Sequence, residues 1–360
     1  MKVCVFGTRG FPYIEGGVEK HCESLYPLLG EDIEIIVFRR KPYVKNNGEY
    51  DNIQFVDLPS TKIKGFEALL HSFLATVYSV FMRPDAVHIH NIGPALFAPI
   101  LKLFSIPVIL TYHSPNYEHK KWGNLARKLL RFCESVALKY SDKIIFVNSF
   151  QMQKYPRNIC DKSVYIPNGI HMPTVSGKDD YLQELGLERE KYILSVGRIT
   201  PEKGFHTLIE AFKTLKDSGY KLVIAGGVEF ENSYMKELQY LSEDVPMVFT
   251  GYVFGESLAQ LYAHAALFVL ASENEGFPLV LLEAMSYGRN LLVSDIPATH
   301  LVKLEESDYF PKGDSEILSR KIQEKLKESP AKNYDLTKYS WEEAAKQVSV
   351  MIRETTYRKS

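Results

Sequence analysis

Two series of short, almost continuously apolar runs, each alternating with helical patterns, restrict this chain more than any other feature. The first series covers residues 2–6, 34–38, 53–57, 86–90, 108–112, 143–147 and 163–166. The second covers 192–196, 221–225, 247–250, 267–270 and 290–293. A strand that is apolar along its whole length is covered on both faces. Such strands, alternating with helices, fold into parallel α/β sheets. With 360 residues, 45% of them hydrophobic, the chain has material for two cores, in line with domains of roughly 150–200 residues. Pro167-Asn168-Gly169 is a turn signal between the series, and 172–180 reads as a polar linker, so the hinge is expected at 167–180. The expected domains are 1–167, joined by the C-terminal helix 340–360, and 168–339. The last segment is helical, with Ser340 placed as its cap and Glu343 completing a capping box.

The formal net charge of -1 favours neither nucleic acid nor an acidic partner. Cys4, Cys22, Cys133 and Cys160 are not spaced as metal ligands and read as reduced thiols of a cytoplasmic protein. The chain opens directly on a strand, so no signal peptide is expected. The most apolar long stretch, 65–82, is interrupted by Glu67 and His71 and reads as a buried helix rather than a spanning one.

Four loops carry chemistry. The run Ser272-Glu273-Asn274-Glu275-Gly276-Phe277-Pro278 leads from a strand into a helix that starts at Pro278, a favoured first helical position. The amides of Leu279 and Val280 then point into the loop, where a helix N-terminus takes phosphate. Glu275 and Glu283 could hold hydroxyls on two parts of one ligand; the bland alternative makes Glu275 a helix cap and Glu283 part of a solvated face. In Gly197-Arg198 through Lys203-Gly204, two cations stand at the carboxyl edge of a strand. They suit a diphosphate, or they belong to an ordinary surface loop. Gly7-Thr8-Arg9-Gly10 through Gly16-Gly17-Val18-Glu19 is a glycine-rich loop without the G-x-G-x-x-G fingerprint, and Arg39-Arg40 stands where an acidic ribose ligand would end the second strand. Gly16 and Gly17 let backbone approach a phosphate or sugar, or simply make a tight turn. His113 follows the strand 108–112 and could donate to a sugar hydroxyl, although a lone histidine is more often structural.

Together these residues resemble the retaining family-four glycosyltransferases of the GT-B fold. The most specific element is the glutamate pair Glu275 and Glu283 within Glu-Gly-Phe-Pro-Leu-Val-Leu-Leu-Glu-Ala-Met. Phe249-Thr250-Gly251 and Tyr339-Ser340-Trp341 match as well, and the glycine-rich first loop with Trp122-Gly123 resembles the bacterial rhamnosyltransferase-like subgroup. The resemblance implies two Rossmann-like domains facing across a cleft, the last helix crossing back to the N-terminal, acceptor-side domain. It implies that Arg198 and Lys203 bind the donor diphosphate and that Glu283 holds the ribose. Glu275 would touch the donor sugar near the reacting carbon. Gly276, Phe277, Leu279 and Val280 would orient sugar and phosphate, Gly17 would approach the phosphate, and His113 would bond the sugar. Gly251 and Tyr252 would lie near the base. The chain departs from the family at His171, where aspartate is common, and at Ala298-Thr299-His300, where many members carry glutamate.

The expected reaction is glycosyl transfer from a nucleoside-diphosphate sugar to a saccharide or lipid-linked acceptor hydroxyl, with retention, in bacterial surface polysaccharide synthesis. No cofactor is expected, the nucleotide sugar being a co-substrate. No metal is expected either: Asp179-Asp180 falls in the linker and no Asp-x-Asp motif stands in a suitable loop, so Arg198 and Lys203 take the metal's place. The basic, aromatic-bearing stretch 119–131 either rests on an anionic membrane at the inner face of the plasma membrane or is a solvated helix face. A sugar-nucleotide epimerase of the same architecture is the main alternative; it would convert donor in the absence of acceptor. A nicotinamide-dependent oxidoreductase conflicts with the first loop. A non-catalytic sugar-binding module would not need both the cations and the glutamate pair.

Overall fold

The computed structural model describes residues 1–14, 16–44, 48–61, 63, 66–115, 117, 123–174, 177–228 and 233–357. Glu15, the linker residues Val175 and Ser176, and His119 to Trp122 of the basic stretch lie outside them. The chain divides into two compact units, Met1–Gly169 with Lys338–Ser360, and Ile170–Thr337.

The first unit is built on seven strands: β1 (Lys2–Phe6), β2 (Glu34–Arg40), β3 (Ile53–Leu58), β4 (Ala86–His90), β5 (Val108–Tyr112), β6 (Lys143–Phe146) and β7 (Ser163–Tyr165). They form one parallel sheet in the order β3-β2-β1-β4-β5-β6-β7. Val3 to Phe6 and all of β4 and β5 are buried, as the uninterrupted apolar runs require. β2 extends further than its apolar run because two arginines finish it. Arg39 is 1% exposed, its guanidinium bonding both oxygens of Asp57 (2.6 and 3.0 Å) and lying 4.2 Å from the Phe55 ring centre. Pairing and stacking let a charge enter the sheet.

The helix Phe66–Met82 reverses an expectation. Its buried residues are His71, Ser72, Ala75, Thr76 and Ser79, while Phe66, Leu69, Phe73, Tyr78 and Phe81 are exposed, Phe81 by 83%. The small side chains allow a close approach to the core. Each hydroxyl is absorbed by the carbonyl one turn back: Ser72 to Ala68, Thr76 to Ser72 and Ser79 to Ala75, at 2.6–2.8 Å. No helix long and apolar enough to cross a membrane occurs among the described residues.

The last helix, Trp341–Tyr357, belongs to this first unit. Ser340 Oγ accepts from the Glu343 amide at 3.2 Å, while the Glu343 carboxylate takes Gln347 at 3.0 Å. Arg353 donates to Asp32 at 2.6 Å, and Lys143 lies 3.3 Å from Glu354. A Cβ on Gly169 would stand 2.4 Å from the Trp341 nitrogen, so the boundary turn fits against this helix only as glycine.

The second unit holds β8 (Tyr192–Val196), β9 (Lys221–Ala225), β10 (Met247–Gly251), β11 (Leu267–Leu270), β12 (Leu291–Ser294) and β13 (Tyr309–Phe310), again all parallel, in the order β10-β9-β8-β11-β12-β13. Two Rossmann-like α/β units with parallel sheets agree with the sequence reading. β13 escaped it, because two residues are too few to show a period.

Candidate active site

In an open parallel sheet, ligands bind beyond the carboxyl ends of the strands, where the strand order reverses. In the second unit that point lies between β8 and β11: the chain steps outward from β8 through β9 to β10, then returns to the other side of β8. The loops that follow these two strands carry Arg198, Lys203 and Glu275. Lys203 closes a single 3-10 turn, Pro201–Lys203, and Gly204 follows in the left-handed region at φ 65. Lys203 Nζ lies 2.5 Å from Glu275 Oε1, and Ser272 Oγ donates to the same oxygen at 2.7 Å. The Glu273 amide donates to the Glu202 carbonyl at 2.8 Å and ties the loops together. The pair is largely withdrawn from water, with side-chain exposures of 17% and 11%, so salt screens it less than a surface bridge. Arg198 stands in the same loop, directly after Gly197.

The helix after Glu275 is Leu279–Ser286. Pro278 has an extended ψ of 94 and is the flanking residue, so it does not open the helix as expected. The Leu279 and Val280 amides are thereby the first two of the helix, the pair that has no intrahelical partner by position. Glu275 gives its Oε1 to Lys203 and Ser272, and among the described hydrogen bonds it accepts none from this helix end, so it is not serving as a helix cap. Nor does Glu283 lie on a solvated face: it is 9% exposed and accepts from the Tyr262 hydroxyl at 2.8 Å. Tyr287 stacks on Tyr262 at 5.5 Å. Phe277 is buried. Gly251 sits at φ 70, its carbonyl taking the Gly226 amide at 2.9 Å. Tyr252 lies over Gly227, where a Cβ would come within 2.5 Å of the ring.

In the first unit the order reverses between β1 and β4. Gly7, at φ 107, passes so close to β4 that a Cβ would sit 2.0 Å from the His90 carbonyl oxygen. Gly16, at φ 143, precedes the helix Gly17–Leu25, and no atom of the described residues lies within 4 Å of where a Gly17 side chain would begin. Glu19 in the first turn accepts from the Arg9 amide at 3.0 Å and its Nε at 3.3 Å, fastening the glycine-rich loop.

His113 is not a lone histidine. Its Nε2 is 2.9 Å from His90 Nδ1. The chain of contacts continues from His90 Nε2 to the Tyr26 hydroxyl (2.6 Å), from there to His88 Nδ1 (2.9 Å), and from His88 Nε2 to Thr111 Oγ1 (2.7 Å). His21 adjoins the group, its Nδ1 2.7 Å from Asn168 Oδ1, with the Trp341 ring edge-on at 5.3 Å. Burial pushes His21 down to about 4 and His88 to about 3, and holds His90 and His113 well below the ordinary imidazole range. All four are neutral at pH 7. Sequence reading missed three of them, although a His-x-His pair at 88 and 90 within an otherwise apolar strand puts both rings on one face and could have raised the question.

These two doubly wound units define a protein of the GT-B class. The model of Glycosyl transferases group 1 matches residues 177–347 and that of Glycosyltransferase Family 4 matches 15–172. An uncharacterised glycosyltransferase of Methanocaldococcus jannaschii is 26% identical over 96% of both chains. An amylovoran biosynthesis glycosyltransferase of Erwinia amylovora is 24% identical over 78% of this chain and 77% of its own. An O-antigen chain mannosyltransferase of Salmonella typhimurium reaches 32% over 35% of each. Among solved structures, sucrose-phosphate synthase from Thermosynechococcus elongatus superposes with a TM-score of 0.81 over 100% of both chains at 20% identity. HepE from Anabaena, in complex with UDP-glucose, does so at 0.72 and 15% identity over 99% of this chain and 98% of its own. Between them the two models cover 15–172 and 177–347, and both describe glycosyltransferases. These matches do not favour the epimerase alternative.

Proposed function

We propose that the protein transfers a glycosyl group from a nucleoside-diphosphate sugar to an acceptor hydroxyl with retention, with no metal on the diphosphate. The observation that carries this reading is the Lys203–Glu275–Ser272 cluster at the β8/β11 switch point, beside Arg198. Lys203 and Arg198 neutralise the departing diphosphate, Arg198 through a planar fork and Lys203 as a point charge. The Leu279 and Val280 amides add donors at a helix N-terminus. Glu275, already held by two donors, faces the sugar near the reacting carbon, and Glu283, oriented by Tyr262, takes the ribose hydroxyls. Gly276 and Phe277 shape the sugar subsite, and Gly251 and Tyr252 flank the base. Gly16 and Gly17 give a phosphate room at the first-unit loop, and His113 donates to a sugar hydroxyl. With these groups preorganised, the departing phosphate oxygen takes the acceptor proton and the protein works by positioning and charge stabilisation.

A UDP-glucose complex among the structural neighbours supports a nucleotide-sugar donor, and relatives in amylovoran and O-antigen synthesis support a surface polysaccharide acceptor. The glycine-rich loop supports a rhamnosyltransferase-like subgroup. Thermal shift against UDP-, GDP-, dTDP- and ADP-sugars should give a rise with one nucleotide class that Arg198→Ala abolishes. The product anomer, read by NMR against the donor, should be the retained one. A shift unaffected by Arg198→Ala removes the diphosphate assignment.

The acceptor side offers a membrane contact. On the helix Asn124–Tyr140, Leu125, Leu129 and Phe132 are 84%, 55% and 59% exposed, a stripe at helical spacing, with Lys128 and Arg131 exposed beside it. Removing both basic groups should lower affinity for phosphatidylserine vesicles about thirtyfold, at about 1 kcal/mol per basic residue. Co-sedimentation of Lys128→Ala/Arg131→Ala at the level of the parent chain would assign the stripe to another use.

A further inference from the structure

His21, His90 and His113 reach one point from three elements: the helix Gly17–Leu25, the end of β4 and the residue after β5. One ring nitrogen from each lies within 4.8 Å of the other two, and all three residues are buried. The hydrogen bonds decide which nitrogens face inward. His21 Nδ1 donates to the Asn168 carbonyl oxygen, which leaves the lone pair on Nε2. That Nε2 is buried and has no hydrogen-bond partner among the described residues. A buried nitrogen left without a partner forfeits its solvation with nothing in return. His90 is held in the same manner: the Tyr26 hydroxyl occupies its Nε2 at 2.6 Å, and its Nδ1 faces His113 Nε2 at 2.9 Å. Two imidazole nitrogens at that separation share one proton, and a cation in the proton's place would engage both lone pairs.

We propose that His21 Nε2, His90 Nδ1 and His113 Nε2 form a three-imidazole site for a transition-metal cation of the zinc class. Neutral nitrogen donors with no carboxylate suit zinc, cobalt, nickel or copper and not magnesium or calcium. Tetrahedral ligation at about 2.0–2.1 Å places nitrogens roughly 3.3 Å apart. The present separations, from 2.9 Å to at most 4.8 Å, enclose that value, so side-chain adjustments of about an ångström close the site. Metal-bound histidines give their second nitrogen to a buried acceptor or donor that fixes the ring; Asn168 and Tyr26 already do so here. Three protein ligands leave a fourth position, and His113, 9% exposed, is the ring nearest to solvent. The site shares His113 with the proposed transfer reaction, while Arg198 and Lys203, the cations assigned to the diphosphate, belong to the other unit. Bound metal would hold His113 in the tautomer that keeps its proton on Nδ1.

The test uses the full chain, stripped with chelator and titrated with Co2+. The expected result is one Co2+ per chain with visible absorption of the intensity that tetrahedral ligation gives, displaced by one equivalent of Zn2+, and a rise in Tm with Zn2+. His21→Ala should abolish the absorption. Asn168→Ala, which keeps all three ligands, should weaken binding about 10–100-fold. His206→Ala, in the second unit, should change nothing. Where His21→Ala does not fold, His113→Gln takes its place as the ligand-removal variant. Absence of the absorption and of the Tm rise in the folded parent chain overturns the proposal, as does unchanged affinity in a folded ligand-removal variant. Neither readout involves glycosyl transfer, so failure of the donor assignment leaves this site standing, and the reverse.

Discussion

Lys203→Ala should lower turnover by at least about a hundredfold at saturating donor, the loss that follows removal of one preorganised oxyanion donor. The reason lies in where the charge sits. Lys203 Nζ is held 2.5 Å from Glu275 Oε1, against the end of a parallel sheet and out of most water, so its position is set before a ligand arrives. In such a place a cation stabilises developing negative charge without reorganising. The substitution has a second effect that must be separated from the first. It leaves Glu275 partly buried with Ser272 as its remaining partner among the described hydrogen bonds, and it removes the aliphatic stem that packs 3.5 Å from where a Gly197 Cβ would stand. Lys203→Met restores the stem without the charge. Turnover of Lys203→Met should remain as low as that of the alanine variant, while Tm recovers part of its loss. Recovery of turnover in the methionine variant would make Lys203 a packing residue and remove it from the chemistry.

The sequence carried the strands well and the side-chain groupings poorly, for physical reasons. Strands covered on both faces must be apolar throughout, so β1, β4, β5, β8, β9 and β11 could be read to the residue. β2 and β10 ran on because their last residues are held by other means, Arg39 by Asp57 and Phe55, and Gly251 by Gly226. The helix Phe66–Met82 was misread because hydropathy assigns phenylalanine to the interior, whereas here hydroxyls that bond back to their own helix take the buried face. Glu275 and Lys203 were legible as separate motifs. Their contact was not, since residues 72 apart in sequence meet only through the β8/β11 adjacency. The buried imidazoles were harder still. His21, His88, His90 and His113 gather from a helix and two strands, and only the His-x-His spacing of β4 left a local trace.

Gly204→Ala should be among the most damaging small substitutions in the second unit. The residue is left-handed at φ 65, and a Cβ there would lie 2.0 Å from the Ala271 carbonyl oxygen. A left-handed alanine alone costs about 1–2 kcal/mol. The clash adds to it because the obstacle is backbone, which cannot rotate aside, and it sits at the root of the loop that carries Ser272 and Glu275. The two loops must part. A total of about 3 kcal/mol corresponds to a fall in Tm of roughly 6–12 °C for a unit of this size. Turnover should fall as well, by at least about tenfold, since misplacing a catalytic group by about an ångström can cost a hundredfold. Gly219→Ala supplies the comparison: it too is left-handed, at φ 78, with no atom within 4 Å of the added carbon. It should lose only the conformational part and keep full turnover. Equal Tm losses in the two variants would mean that the loops tolerate separation. A larger loss at Gly204, accompanied by lost turnover, would show that backbone packing between the β8 and β11 loops sets the distance from Lys203 to Glu275.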